Sequence, residues 1–227
     1  MANNHTVGTK DLQKPGGIAA LYGAAAYLAA MVFYLFILNY PNVTEPLQKV
    51  YLLVNNQVTV RVSYLISYVA FGLFLVILVL ALYERFKASA PSVIKIATAF
   101  GLIWACLLIA CGVIFNRALG TVVSLYGKDA AQAVTVWLGI ESVTTGLSCA
   151  DGEILGGLWT LLVSWAALQA KGLPKTLNYL GLVVGAIGVI SIIPVLNALT
   201  GVFGIGQIAW FVWLGIVLLR SRPGAAV

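Results

Sequence analysis

Polar residues along the chain are gathered into short connections between six long apolar runs, 16–38, 62–83, 96–115, 154–170, 177–196 and 202–219. A helix needs about 20 mostly apolar residues to cross the hydrocarbon of a bilayer, and none of the six runs contains Asp, Glu, Lys, Arg or His. A charge at the centre of a span costs about 2.5–3.5 kcal/mol on the insertion scale. Six charge-free runs therefore predict six transmembrane helices.

The basic residues orient them. With the N-terminus inside, Lys10, Lys14, Arg85, Lys87, Lys95, Lys171, Lys175, Arg220 and Arg222 fall on the cytoplasmic side, leaving Lys49, Arg61, Arg117 and Lys128 outside. The positive-inside rule then puts both termini in the cytoplasm. A further stretch, 129–147, is apolar enough to tempt a seventh span, but counting it would move most of the Lys and Arg outside. It is predicted instead as an amphipathic helix lying on the outer face, capped by Asp129. A shorter relative is expected over 45–54, with Pro46 in its first turn. The fold expected is an all-α membrane protein, a six-helix bundle with both termini inside and one or two amphipathic outer helices. Cytoplasmic tails, 1–15 and 221–227, flank one membrane domain, 16–220.

Composition supports this. Of 227 residues, 61% are hydrophobic and 9% charged, against about 45–50% and about 25% in soluble domains. Disorder, a disulfide scaffold and nucleic-acid binding are excluded despite the net charge of +6. The one histidine, His5, lies in the polar N-terminal segment, which removes Ser-His-Asp relays, haem ligation by paired histidines and His-bearing zinc sites. Cys106 and Cys111, five apart on a helix, point about 140° from one another, and with Cys149 they read as packing residues. No phosphate-binding or dinucleotide-binding motif occurs. No metal or cofactor is expected. Residues 1–15 do not read as a signal peptide: the apolar run after them is too long and lacks an A-x-A site.

Helices in lipid associate through small residues. Gly181, Gly185 and Gly188 form a G-x-x-x-G with a further glycine, open to internal packing or to homodimerisation, and Gly156, Thr160 and Ser164 form a small polar stripe. Pro194 should bend or end the fifth span. Trp159, Trp210, Trp213, Tyr40, Tyr64 and Tyr179 are expected in aromatic belts near the span ends.

Chemistry, if present, is expected at the outer mouth of the fourth span. Glu141, Asp151 and Glu153 gather there with Arg117 at the end of the third, and Thr160, Ser164, Asn197 and Gln207 are candidates to line a cavity behind them. A desolvated carboxyl can act as a proton donor. Helix capping explains Asp151 equally well, and a place in the first turn explains Glu153.

The segments Pro15-Gly16-Gly17-Ile18-Ala19-Ala20-Leu21-Tyr22, Gly152-Glu153-Ile154-Leu155-Gly156-Gly157-Leu158-Trp159 and Leu173-Pro174-Lys175, leading into Tyr179-Leu180-Gly181, resemble a bacterial membrane-protein family, domain of unknown function 4386. Thr176-Leu177-Asn178 departs from its pattern, which has an aromatic residue there. The resemblance implies six spans in a bacterial inner membrane and no assigned reaction. Three functions stay open: a non-catalytic subunit or binder of lipid or apolar small molecules acting through its outer face; an intramembrane enzyme with Glu153, Asp151 or Glu141 as general acid on an isoprenoid or other lipid; and a carrier for a neutral solute. Expected partners are membrane lipids and a membrane protein or second copy, not nucleic acid.

Overall fold

A computed structural model of the chain describes residues 7–148 and 152–221. Among these, regular structure is helical throughout. Helix α1 (Val7–Met31) runs into a π-helical segment, Val32–Ile37, and then a 3-10 turn, Tyr40–Asn42. The short α2 (Pro46–Asn55) follows, with Pro46 at its start as expected. Next, α3 (Gln57–Tyr64), a second π-helical segment (Leu65–Ala70) and α4 (Phe71–Phe86) form one continuous rod. The remaining helices are α5 (Pro91–Tyr126), α6 (Ala130–Ser148), α7 (Ile154–Ala170), α8 (Lys175–Ile190) and α9 (Leu199–Arg220). Helix α8 stops before Pro194, which opens a 3-10 turn because proline has no N–H to continue the ladder.

Among the described residues four helices are long and apolar enough to cross a membrane, Leu12–Ile37, Gln57–Phe86, Pro91–Tyr126 and Leu199–Arg220, whereas α7 and α8 are apolar but shorter. At 17 and 16 residues, α7 and α8 reach only about 25 Å each, against a hydrocarbon core of about 30 Å. The helices pack in a closed ring in the order α1, α4, α5, α7, α8, α9 and back to α1. One end of the ring holds the start of α1 and the end of α9. There the Gln13 amide donates to the carbonyls of Leu218 (2.8 Å) and Ser221 (2.6 Å), and Arg85 donates to the Gly172 carbonyl in the α7–α8 turn (2.8 Å). This is called the terminal end below, and the opposite one the distal end.

The ring closes around aromatic residues. Phe71, Trp104, Trp159, Trp210 and Phe211 are buried and meet with ring centroids 5.5–6.3 Å apart. Trp159 and Trp210 thus fill the core rather than a belt, because their neighbours include glycines that leave room for indoles: Gly101 beside Trp159, Gly181 beside Trp210. Trp213 and Tyr179 do face outward.

Helix α6 differs from its expected place. Asp129 caps it, accepting from the Gln132 N–H (3.0 Å), but it does not lie flat. A three-residue turn folds it back along the distal half of α5, far enough for the Cys111 thiol to donate to the Thr144 carbonyl (3.4 Å). The stripe Ala133, Trp137, Thr144 and Ser148 is what it buries. Helix α5, at 36 residues, is long enough (about 54 Å) to carry this hairpin. Val50, Leu53, Phe115, Leu119, Val122, Ala133 and Trp137 form a second, distal core there. Cys106 is exposed while Cys111 is buried, as their spacing requires.

The α7–α8 contact leaves no space for side chains. A Cβ on Gly157 would lie 2.8 Å from the Gly185 carbonyl oxygen and 2.7 Å from the Val189 nitrogen, and one on Gly188 would meet Phe203 of α9 at 2.7 Å. Gly181, Gly185 and Gly188 are consequently enclosed by their own chain, and a dimer made through them would have to displace α7 or α9. Gly157→Ala is predicted to lower stability in detergent by about 1–3 kcal/mol, the usual cost of overpacking. Gly204→Ala, where a Cβ meets nothing within 4 Å, should leave the thermal midpoint unchanged or raise it slightly, since alanine is the better helix former.

Candidate functional site

Between α6 and α7 the chain breaks, and the break sets Glu153. Gly152 adopts φ +150°, and a Cβ there would meet the Ile192 Cα at 2.7 Å, so only glycine fits the turn. The Glu153 N–H then donates to the Ser191 hydroxyl (3.0 Å), which itself donates to the Gly188 carbonyl (2.7 Å). The end of α8 thereby clamps the start of α7. Glu153 occupies the N-cap position of α7 but makes no side-chain cap bond, so its place is the cap rather than the first turn and its carboxyl is turned elsewhere. That carboxyl lines an internal recess of about 90 Å³ with Tyr27, Ser67, Tyr68, Phe71 and Ser148.

The recess adjoins a chamber of about 120 Å³ toward the distal end, whose wall includes Tyr34, Tyr64, Phe115, Trp137, Thr144 and Glu141. Tyr68 and Ser148 belong to both. Both π-helical segments contribute: Tyr34 lies on the first, Ser67 and Tyr68 on the second. A π-turn interrupts the regular ladder and often marks a functional position. The second is braced by the Tyr22 hydroxyl, which donates to the Ile66 carbonyl (2.9 Å). A hollow of about 320 Å³ at the terminal end, beside Lys171, Lys175 and Asn178, has no acid in its lining.

Two carboxyls face this space and differ in their partners. One oxygen of Glu141 accepts from Lys49 (3.1 Å) and from the Tyr40 hydroxyl (2.6 Å), with Lys49 also over the Tyr40 ring (5.0 Å). Burial, and then the Glu141 carboxyl beside it, push the Tyr40 hydroxyl above its ordinary range. This trio ties α2 and the Tyr40 turn to α6. Glu153 is only 9% exposed, and its Oε2 is buried without a hydrogen-bond partner among the described residues. Desolvation pushes this carboxyl up to about 8, opposed only by a hydrogen bond from Tyr27.

The model of a family described as a domain of unknown function, DUF4386, matches residues 16–217. The chain belongs to the DUF4386 family. Comparisons with curated proteins and with solved structures give no match.

In this DUF4386 chain the residues singled out from sequence separate into groups. Glu141 and Glu153 face adjoining cavities, and Asp151 lies outside the described residues, as does Cys149. Arg117 is exposed on α5 and is not part of either wall; Lys49 is the base that meets Glu141. Thr160, Ser164 and Gln207 are fully buried between α7 and α9, where the Thr160 hydroxyl donates to Gln207 (3.1 Å). They form a packed polar seam rather than a cavity wall. Asn197 is half-buried in the connection before α9. The tyrosines Tyr27, Tyr34 and Tyr68 and the serines Ser67 and Ser148 went unpredicted. The four-residue spacing of Tyr64 and Tyr68, which puts both rings on one helical face, is the signal that could have revealed them.

Because the fold raises the Glu153 carboxyl from its ordinary 4.5 to about 8, it favours the protonated form more than the unfolded chain does. The resulting contribution to stability is complete at acidic pH and is lost as pH rises from about 4.5 to about 8. The groups facing the carboxyl from neighbouring helices are Tyr27, Tyr68, Ser67 and Ser148. Thermal unfolding in detergent followed by circular dichroism should show the midpoint falling across that interval. Glu153→Gln, which stays neutral, should flatten the profile.

Proposed function

We propose that this chain is a six-span protein of a bacterial inner membrane that binds a small lipid-soluble molecule in its distal chamber, and that it acts by binding rather than catalysis. The observation that carries this reading is the ring-lined chamber itself, with Tyr34, Tyr64, Phe115 and Trp137 around a space that shares Tyr68 and Ser148 with the Glu153 recess. Binding sites for small molecules are concave and mostly apolar, with few polar groups to fix orientation. Here those groups are hydroxyls, the Trp137 N–H and Glu153. Glu141 is already engaged by Lys49 and Tyr40, which suits a fastener rather than an acid. The basic residues Lys14, Arg85, Lys87, Lys95, Lys171, Lys175 and Arg220 favour a cytoplasmic terminal end, so the chamber would open toward the outer face.

Native mass spectrometry of the protein released from nanodiscs tests this. One small molecule bound to a single chain is expected, and Ser148→Phe, which fills the wall common to both cavities, should abolish it. Recovery of a stoichiometric protein partner with no small molecule would overturn the reading.

A second reading is favoured by one observation, the buried Glu153 carboxyl near neutral pKa: an intramembrane enzyme using it as general acid on an isoprenoid or other lipid. Under that reading Glu153→Gln changes the lipid profile of producing cells, whereas under the binding reading that profile keeps the same products.

A further inference from the structure

The recess imposes a requirement that the aromatic chamber alone does not. A carboxyl taken out of water stays neutral unless a cation pairs its charged form, and the Glu153 Oε2 is buried beside open space with no donor among the described residues. Its other interaction is a hydrogen bond from the Tyr27 hydroxyl. No base among the described residues lines the recess: Lys49 is held by Glu141, Arg61 donates to the Asn116 carbonyl (3.0 Å), and Arg117 is exposed. The rest of the wall suits a positive charge. Tyr27, Tyr68 and Phe71 line it with aromatic rings, a residue type that attracts cations, and the Ser67 and Ser148 hydroxyls can accept further N–H groups.

We propose that the recess around Glu153 is a binding site for the protonated amine of a small lipid-soluble ligand, whose apolar body lies in the adjoining aromatic chamber. The inference rests on the binding reading above and adds the ligand's chemical class. Size agrees: a cavity of about 150 Å³ holds a benzene ring, and the chamber of about 120 Å³ and the recess of about 90 Å³, which share Tyr68 and Ser148 in their walls, together exceed it and suit an arylalkylamine lying across both. An ammonium group donates to Oε2, and the serines take its remaining hydrogens. A neutral alcohol of the same shape offers one donor and no charge.

The test compares 4-phenylbutylamine with 4-phenylbutanol, each titrated at about pH 8.5 into the full-length protein in nanodiscs, with tryptophan fluorescence as the readout. The amine should bind about ten- to a hundredfold more tightly than the alcohol, the worth of one charge-assisted hydrogen bond. In Glu153→Gln that advantage should vanish, and in Tyr27→Phe it should shrink. Equal affinities in the unaltered protein, or a preference that survives Glu153→Gln, overturn the amine site while leaving the chamber as a binding site. If neither probe binds, the binding reading falls with it. The comparison in the unaltered protein decides the matter even if a variant does not fold.

Discussion

Helices α7 and α8 meet backbone to backbone, with Gly157 set against Gly185 and Gly188 and no side chain between them. In lipid, where apolar surface gains little by association, such close approach supplies the packing that holds helices together. The rest of the distal architecture depends on it. Tight pairing brings the end of α8 under the start of α7, so Ser191 can receive the Glu153 N–H and Ile192 can crowd Gly152. The short hairpin leaves the volume beyond it to α6, which returns along α5 and stops at the same level. Glu153 therefore lies where two helices end and a third turns away. A carboxyl can be buried there with an oxygen left unpaired.

The irregular helical segments fit this arrangement. A straight α1 and a straight α3–α4 rod would present regular ladders to the region that α6 enters. Instead each passes through a π-helical segment, and these segments carry Tyr34, Ser67 and Tyr68 into the cavity walls. The Tyr22 hydroxyl on the Ile66 carbonyl occupies a backbone acceptor at one of them. Aromatic residues then serve two roles in one chain: Trp104, Trp159 and Trp210 close the bundle core, while tyrosines at the distal end leave room between them.

Much of the fold could be read from charge-free apolar runs, because burying a charge in lipid is expensive wherever the helix packs. The runs identify every apolar helix of the ring, and family membership follows from motifs such as Gly152–Trp159. Helix ends were less legible: Lys95 and Asn116 continue α5 well beyond its apolar run, since a polar residue in a long helix costs little outside hydrocarbon. The direction of α6 depended on a turn at Gly127–Asp129 and on which stripe faces α5, a tertiary matter. In the site, Glu153 was legible as an acid beside an apolar run, but its burial depended on the Gly152–Ile192 contact between residues 40 apart. Arg117, grouped from the sequence with Glu141 and Glu153, lies among the buried Phe115, Ala118, Leu119 and Val122 in the chain but on the exposed face of α5, which chain position alone does not reveal. Trp159 and Trp210 looked like belt residues because nothing local shows the glycines that admit them to the core.

Infrared difference spectroscopy of the purified protein in nanodiscs tests most directly whether Glu153 is a buried carboxyl with no cation to pair it among the described residues. A protonated-carboxyl stretch is expected at neutral pH, missing in Glu153→Gln and disappearing as pH is raised past about 8. A spectrum in which Glu153 is fully ionised at neutral pH, with Glu153→Gln changing only the carboxylate bands, would contradict it.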